Sequence, residues 1–359
     1  MNAPSEKTNP DTEKTREHLV ILDGIAIFLI VQFHALNSDP ANPFSPIRFS
    51  LAYLGLSLFT FSAGSKLALN HAGDLADRTF LGAYFLRRFD RLYRPYLGYT
   101  ALIFLPMLVV CFIAWYILGL HFPGISTFFS AIGSLNPARA LSFFIGNNPV
   151  TGHLWYLLAL IIITAVTFTT LLFLDLRKVV SLGVPLFLIG LWIFSTTEYF
   201  ADELPVRAFL LLPFFLAGVW SGPRMAAGEI GKSGPVLWST VLLFGGFSFA
   251  FAAVSDPATT GALMFCLCLL FPFLLLGMAA IIRKTGPVCS FLLFSGRNAF
   301  RIYLFHLPLI LLVLMRLSTD VLRLRFFFMP FLIALLAMAL SVLAYRIVLK
   351  AGLGFLIET

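Results

Sequence analysis

From Leu19 to Ile347 the chain is a succession of apolar runs separated by short polar stretches, and no other property constrains its fold as tightly. About 20 helical residues are needed to cross roughly 30 Å of hydrocarbon. Ten runs reach or approach that length: 19–37, 50–70, 96–120, 153–174, 179–199, 206–222, 235–254, 258–282, 297–315 and 326–347. They do not alternate polar with apolar residues. Backbone groups in lipid must be satisfied within the segment, so helices are expected rather than a barrel. Composition agrees. Hydrophobic residues make up 59 % of the 359 positions and charged residues 12 %, against roughly 25 % charged in ordinary soluble proteins. The expectation is an all-α, polytopic membrane protein of about ten transmembrane helices. Its organisation reads as a polar N-terminal segment 1–18, one membrane domain 19–347 and a short tail 348–359.

Charge sets the expected orientation. With the N-terminus inside, sixteen basic residues fall in cytoplasmic stretches and six, including Arg48, Arg139 and Arg207, in the opposite loops. The positive-inside rule then places both termini in the cytoplasm of a cell-membrane protein. The loop carrying Arg316, Arg323 and Arg325 is the local exception. The net charge of +8 is therefore read as membrane orientation, and no nucleic-acid partner is expected. Residues 1–18 mix acids with bases and lack signal-peptide character, and no convincing cleavage site follows, so the first run is expected to be retained. Cys111, Cys266, Cys268 and Cys289 lie in or beside apolar runs without a metal-ligand pattern and read as small hydrophobes. Residues 75–95 mix apolar and basic positions at helical spacing, as in a helix lying at the interface. Residues 121–152 form the longest outer loop.

Ionisable groups inside apolar runs are costly and are candidates for function. They are Asp23, His34, Lys66, His153, Glu198, Arg297, Arg301 and His306. His34 lies about fifteen residues, or roughly 22 Å, beyond Leu19. It serves either a functional pocket or a hydrogen bond to a neighbouring helix. His153 and Glu198 fall at the same, outer side, so all three are expected to share one polar pocket. On the inner side Arg87, Arg91 and Arg94 recur at helical spacing with Arg88 beside them. They express either the inside-positive bias or a site for a polyanionic ligand, because guanidinium forks match phosphate oxygens. Gly296 is read as a helix start, with Arg297 and Arg301 one turn apart and His306 about 14 Å deeper than Arg297. Those arginines either snorkel or support the same ligand.

At these residues the sequence resembles the acyltransferase 3 family of integral membrane acyltransferases. LDGIAIFLIVQFH (22–34) is similar to the family's opening, which ends its first helix in His. SLFTFSAG (57–64), RRFDRLYRPYL (87–97) and HLWYL (153–157) resemble later segments, and SGRNAFRIYLFHLPL (295–309) is the most specific match. The resemblance implies ten helices and transfer of an acyl group, commonly acetyl, from cytoplasmic acyl-CoA to a hydroxyl of a carbohydrate or glycolipid. It implies His34 as general base or acyl acceptor. It also implies Arg87, Arg88, Arg91 and Arg94, supported by Arg297, as holders of the CoA phosphates. His153 and Glu198 are candidates to orient the base, with Asn298 and Tyr303 as oxyanion donors. No metal is required and no bound cofactor is expected beyond the donor. One position departs from the family. Its pattern carries Arg or Lys eleven positions before the His, where this sequence has Asp23; alternatively, LDG aligns directly and the Arg is missing. Asp23 is expected to pair with Arg88, Arg91 or Arg94. No hydrolase-like second domain follows, so transfer is expected within this domain or through a separate partner. The competing readings are a transporter or flippase of a lipid-linked sugar and a non-catalytic member of the same fold.

Overall fold

The computed structural model describes residues 10–37, 42–44, 47–113, 152–196, 203–230, 234–254, 256–318, 322 and 328–357. The regular elements among them are helical: α1 (Pro10–Asn37), α2 (Arg48–His71), α3 (Arg78–Phe112), α4 (Trp155–Leu171), α5 (Leu176–Ser181), α6 (Gly183–Thr196) and α7 (Leu204–Ala226). Then come α8 (Gly234–Ala253), α9 (Pro257–Ile282), α10 (Pro287–Arg297), α11 (Ala299–Phe305), α12 (Leu311–Arg316) and α13 (Met329–Lys350). Five stretches among the described residues are long and apolar enough to cross a membrane: Thr12–Leu36, Leu176–Thr196, Leu204–Ala226, Pro257–Ala279 and Met329–Lys350. The outer loop read at 121–152 lies, apart from its last residue, outside the described residues.

Three boundaries differ from the sequence reading. Helix α1 starts at Pro10 rather than Leu19, because Glu13, Lys14, Arg16 and Glu17 are good helix formers that extend the rod beyond the apolar run. The interfacial stretch and the run after it form one 35-residue helix, α3, with Pro95 and Pro106 inside it. Each proline removes a single backbone donor, and the helix formers around it carry the helix on. Lastly, the run at 297–315 is divided between α10, α11 and α12. Gly296 stands near the end of α10, not at the start of a helix.

Helix α1 is enclosed by protein. Leu19, Ile21, Leu22, Ile27, Val31, Ala35 and Leu36 are all buried, and together they point all round the helix, as expected of a rod inside a bundle. It packs against α2, α10 and α13. At the α1–α10 crossing the backbones nearly touch: a Cβ on Gly24 would stand 2.1 Å from the Leu292 carbonyl oxygen, and one on Gly296 would stand 1.9 Å from that of Val20. The α2–α7 crossing repeats the device. A Cβ on Gly64 would meet the Phe215 oxygen at 2.1 Å, and one on Gly218 the Phe61 oxygen at 2.0 Å. Beside them the Ser65 and Ser221 hydroxyls hydrogen-bond at 3.2 Å. Close approach at small residues and hydrogen bonds between helices hold such bundles together where lipid supplies no hydrophobic drive. Farther out, α6 and α8 expose Leu188, Trp192, Trp238 and Phe249, the surface a lipid-facing helix presents. Outside the apolar stretch, Asp256 caps α9 by accepting from the Thr259 backbone N–H and hydroxyl, which hold its carboxyl below the ordinary range.

Candidate active site

A proline shapes the first half of the site. Leu307 precedes Pro308, and that position disfavours helical backbone. Leu307 accordingly turns extended (φ −124°, ψ 159°), and α11 ends at Phe305 with His306 as its C-cap. The Tyr99 hydroxyl of α3 donates to the Leu307 carbonyl and ties the break to the bundle. His306, fully buried, turns its Nδ1 to the carbonyl oxygens of Ile302 (3.0 Å) and Tyr303 (2.9 Å). Carbonyls only accept, so Nδ1 carries a hydrogen, and in the neutral ring Nε2 is then the acceptor. That Nε2 is buried and has no hydrogen-bond partner among the described residues, as is also true of His153 Nε2.

Two other imidazoles meet His306. His34, near the end of α1, has its ring centroid 5.2 Å away. His153, in the turn before α4, lies at 5.4 Å. Thus His34 and His153, read as partners from sequence, are joined through His306. Glu198, the third expected member, lies outside the described residues. Tyr303 fastens the cluster from below by donating its hydroxyl to the His153 carbonyl, with its ring 5.9 Å from that of His306. Among the described residues no group of His, Cys, Asp or Glu has the arrangement of a metal site.

The second half is a cavity of about 800 Å³. Arg87, Arg88 and Arg91 of α3, Lys66 of α2 and Arg297 of α10 line it, five cations against the two carboxylates Asp23 and Asp90. Arg88 Nη1 reaches the Tyr84 hydroxyl at 3.3 Å, while its Nε is buried without a partner among the described residues. Tyr156 and Tyr303 line the same cavity. Because Tyr303 also touches His153 and His306, the cationic cavity and the histidine cluster are two ends of one site. The Tyr156 hydroxyl, 3.1 Å from that of Thr60, helps fix this junction.

Several expected residues stand elsewhere. Asp23 pairs with Lys66, not with an arginine of α3; α2 packs along α1 and brings the lysine to it. Arg94 does not line the large cavity. Its guanidinium folds back onto Asp90, one turn earlier, at 2.7 Å, beside a smaller apolar cavity that also holds Phe89, Tyr93 and Phe355. Asn298 joins α10 to α11: its amide donates to the Phe294 carbonyl at 2.9 Å, and its oxygen accepts from Arg301 at 2.9 Å. Arg301 also covers the Tyr345 ring, 4.6 Å from its centroid, so it and Arg297 part company at the junction. Sequence reasoning left Tyr99 and Tyr156 out of the site. Tyr156 stood inside the HLWYL motif, the one signal that could have found it.

Compared with known proteins, residues 19–346 match a family model described as an acyltransferase domain. No curated protein and no solved structure matches the chain.

Proposed function

We propose a function from one premise: the chain belongs to the acyltransferase 3 family, whose model covers residues 19–346. Membership supports a membrane acyltransferase in general. The finer reading is transfer of an acyl group, commonly acetyl, from cytoplasmic acyl-CoA to a hydroxyl of a cell-surface carbohydrate or glycolipid, at the cell membrane. One observation carries it. A cavity rich in Arg and Lys meets a cluster of three imidazoles at Tyr303. Guanidinium groups suit the donor's phosphates, and imidazoles suit proton transfer at its thioester end.

In this reading His34 is the general base. Its imidazole takes the proton of the acceptor hydroxyl as that oxygen attacks the thioester carbonyl carbon. The tetrahedral intermediate collapses, the carbon–sulfur bond breaks, and the coenzyme leaves as a thiolate that takes the proton back from the imidazolium. His306, locked as the Nδ1–H tautomer, and His153 orient His34 and keep the proton on the reacting side. The Tyr303 hydroxyl spends its one hydrogen on the His153 carbonyl, whereas the Asn298 amide uses one of its two on Phe294 and keeps a second for the intermediate's oxyanion.

The test is transfer of label from radiolabelled acetyl-CoA to a cell-envelope glycan fraction by the purified protein. His34→Ala is expected to lower transfer by roughly a hundredfold or more. No transfer by wild type, or equal transfer by the variant, would sink the proposal.

A further inference from the structure

Beside the cationic cavity lies a second, of about 660 Å³, lined by Lys14, Arg16, Arg283 and Arg297 together with Glu13 and Glu17. The two cavities share Arg297 and Val20. They also share a wall, because Arg16 Nη2 donates at 2.9 Å to Asn70 Oδ1, and Asn70 lines the first cavity. Glu17 holds the Arg283 guanidinium at 3.0 Å, which fixes that long side chain beside Arg297. Two cationic chambers joined at one arginine fit a ligand with two anionic groups separated by a short linker.

Resting on the acyl-CoA reading above, we propose that the second cavity binds the 3′-phosphate of the coenzyme A nucleotide while the first holds its diphosphate. A ribose separates those groups, and the shared Arg297 sits where the ribose would bridge them. The helical extension of α1 beyond the apolar run gains a purpose thereby. Lys14, Arg16 and Glu17 ride on the same rod as Asp23 and His34. From Arg16 to His34 that rod runs about 27 Å at 1.5 Å per residue, which matches a donor lying extended between its nucleotide and its thioester. The site would therefore select intact acyl-CoA over pantetheine carriers that lack the 3′-phosphate.

Equilibrium binding to the full-length protein in neutral-lipid nanodiscs tests this, with coenzyme A and 3′-dephospho-coenzyme A as probes. Wild type is expected to bind coenzyme A roughly tenfold or more tightly, the worth of one charge-assisted contact. Lys14→Ala and Arg283→Gln should each shrink that ratio by weakening coenzyme A alone, whereas Arg88→Ala should weaken both probes alike. Lys14 is half of no ion pair seen among the described residues, so its variant guards against misfolding of Arg283→Gln. Equal binding of the two probes by wild type, or parallel losses in the Lys14 and Arg283 variants, overturns the inference and leaves the acyl-CoA reading standing. So does loss of the discrimination when anionic lipid is added, which would make the second cavity a headgroup site. Binding of neither probe overturns the acyl-CoA reading itself.

Discussion

Asp23 is a carboxylate on a helix enclosed by its neighbours, and its charge has to be met where it stands. Lys66 meets it from α2, with its own side chain 39 % open to the cavity and that of Asp23 only 12 %. Removing one partner of such a pair leaves the other charge stranded. The cost should fall below the 3–5 kcal/mol of a fully buried pair because the lysine is partly solvated. Lys66→Met is therefore expected to destabilise by about 2 kcal/mol, and adding Asp23→Asn should recover most of that loss. Thermal unfolding of the two single variants and the double variant in detergent gives the coupling; additive losses would contradict it. Asp23 stood out in the sequence as a charge without a place. Its partner did not: the sequence pointed to Arg88, Arg91 or Arg94, and Lys66 emerged only once α2 was seen to pack along α1.

At the scale of elements, close crossings and one helix break do the positioning. Gly218 lets α7 approach the Phe61 carbonyl, and an added methyl has only backbone to push against. Gly218→Ala is expected to cost roughly 1–3 kcal/mol by overpacking, read as a lower melting temperature. A change in an open stretch, such as Gly245→Ala, where a Cβ meets nothing within 4 Å, should not lower it. Helix breaks were unevenly legible. The Leu-Pro pair after His306 announces one, since the residue before proline avoids the helical region. Gly296 misleads, because glycine marks a helix end and a close helix crossing with the same letter. The fusion of the basic stretch with the next apolar run into α3 was hidden as well: a change from charged to apolar residues alters a helix's surroundings without ending it.

For the whole molecule, the separation of a cationic cavity from a histidine cluster predicts a division in kinetics. If the cavity holds acyl-CoA as proposed, Arg88→Ala removes a cation from the donor's phosphate end and should raise KM for acyl-CoA roughly tenfold with kcat little changed. His34→Ala should do the reverse, lowering kcat by roughly a hundredfold or more at nearly constant KM. Steady-state kinetics with varied acyl-CoA separates the two, and equal effects of both variants on kcat would refute the division. The sequence alone determined that the chain is helical and belongs in a membrane, because apolar length and scarce charge are local properties that lipid rewards one segment at a time. It also marked His34, His153, His306 and the arginines as costly groups needing a reason. Only the tertiary structure decided which of them meet. Three imidazoles from α1, the turn before α4 and the end of α11 converge because glycines at 24 and 296 let α1 and α10 touch and because Leu307 breaks the helix beneath His306. Contacts between residues more than a hundred positions apart depend on how the helices cross, and that geometry is set by the packing of all of them together.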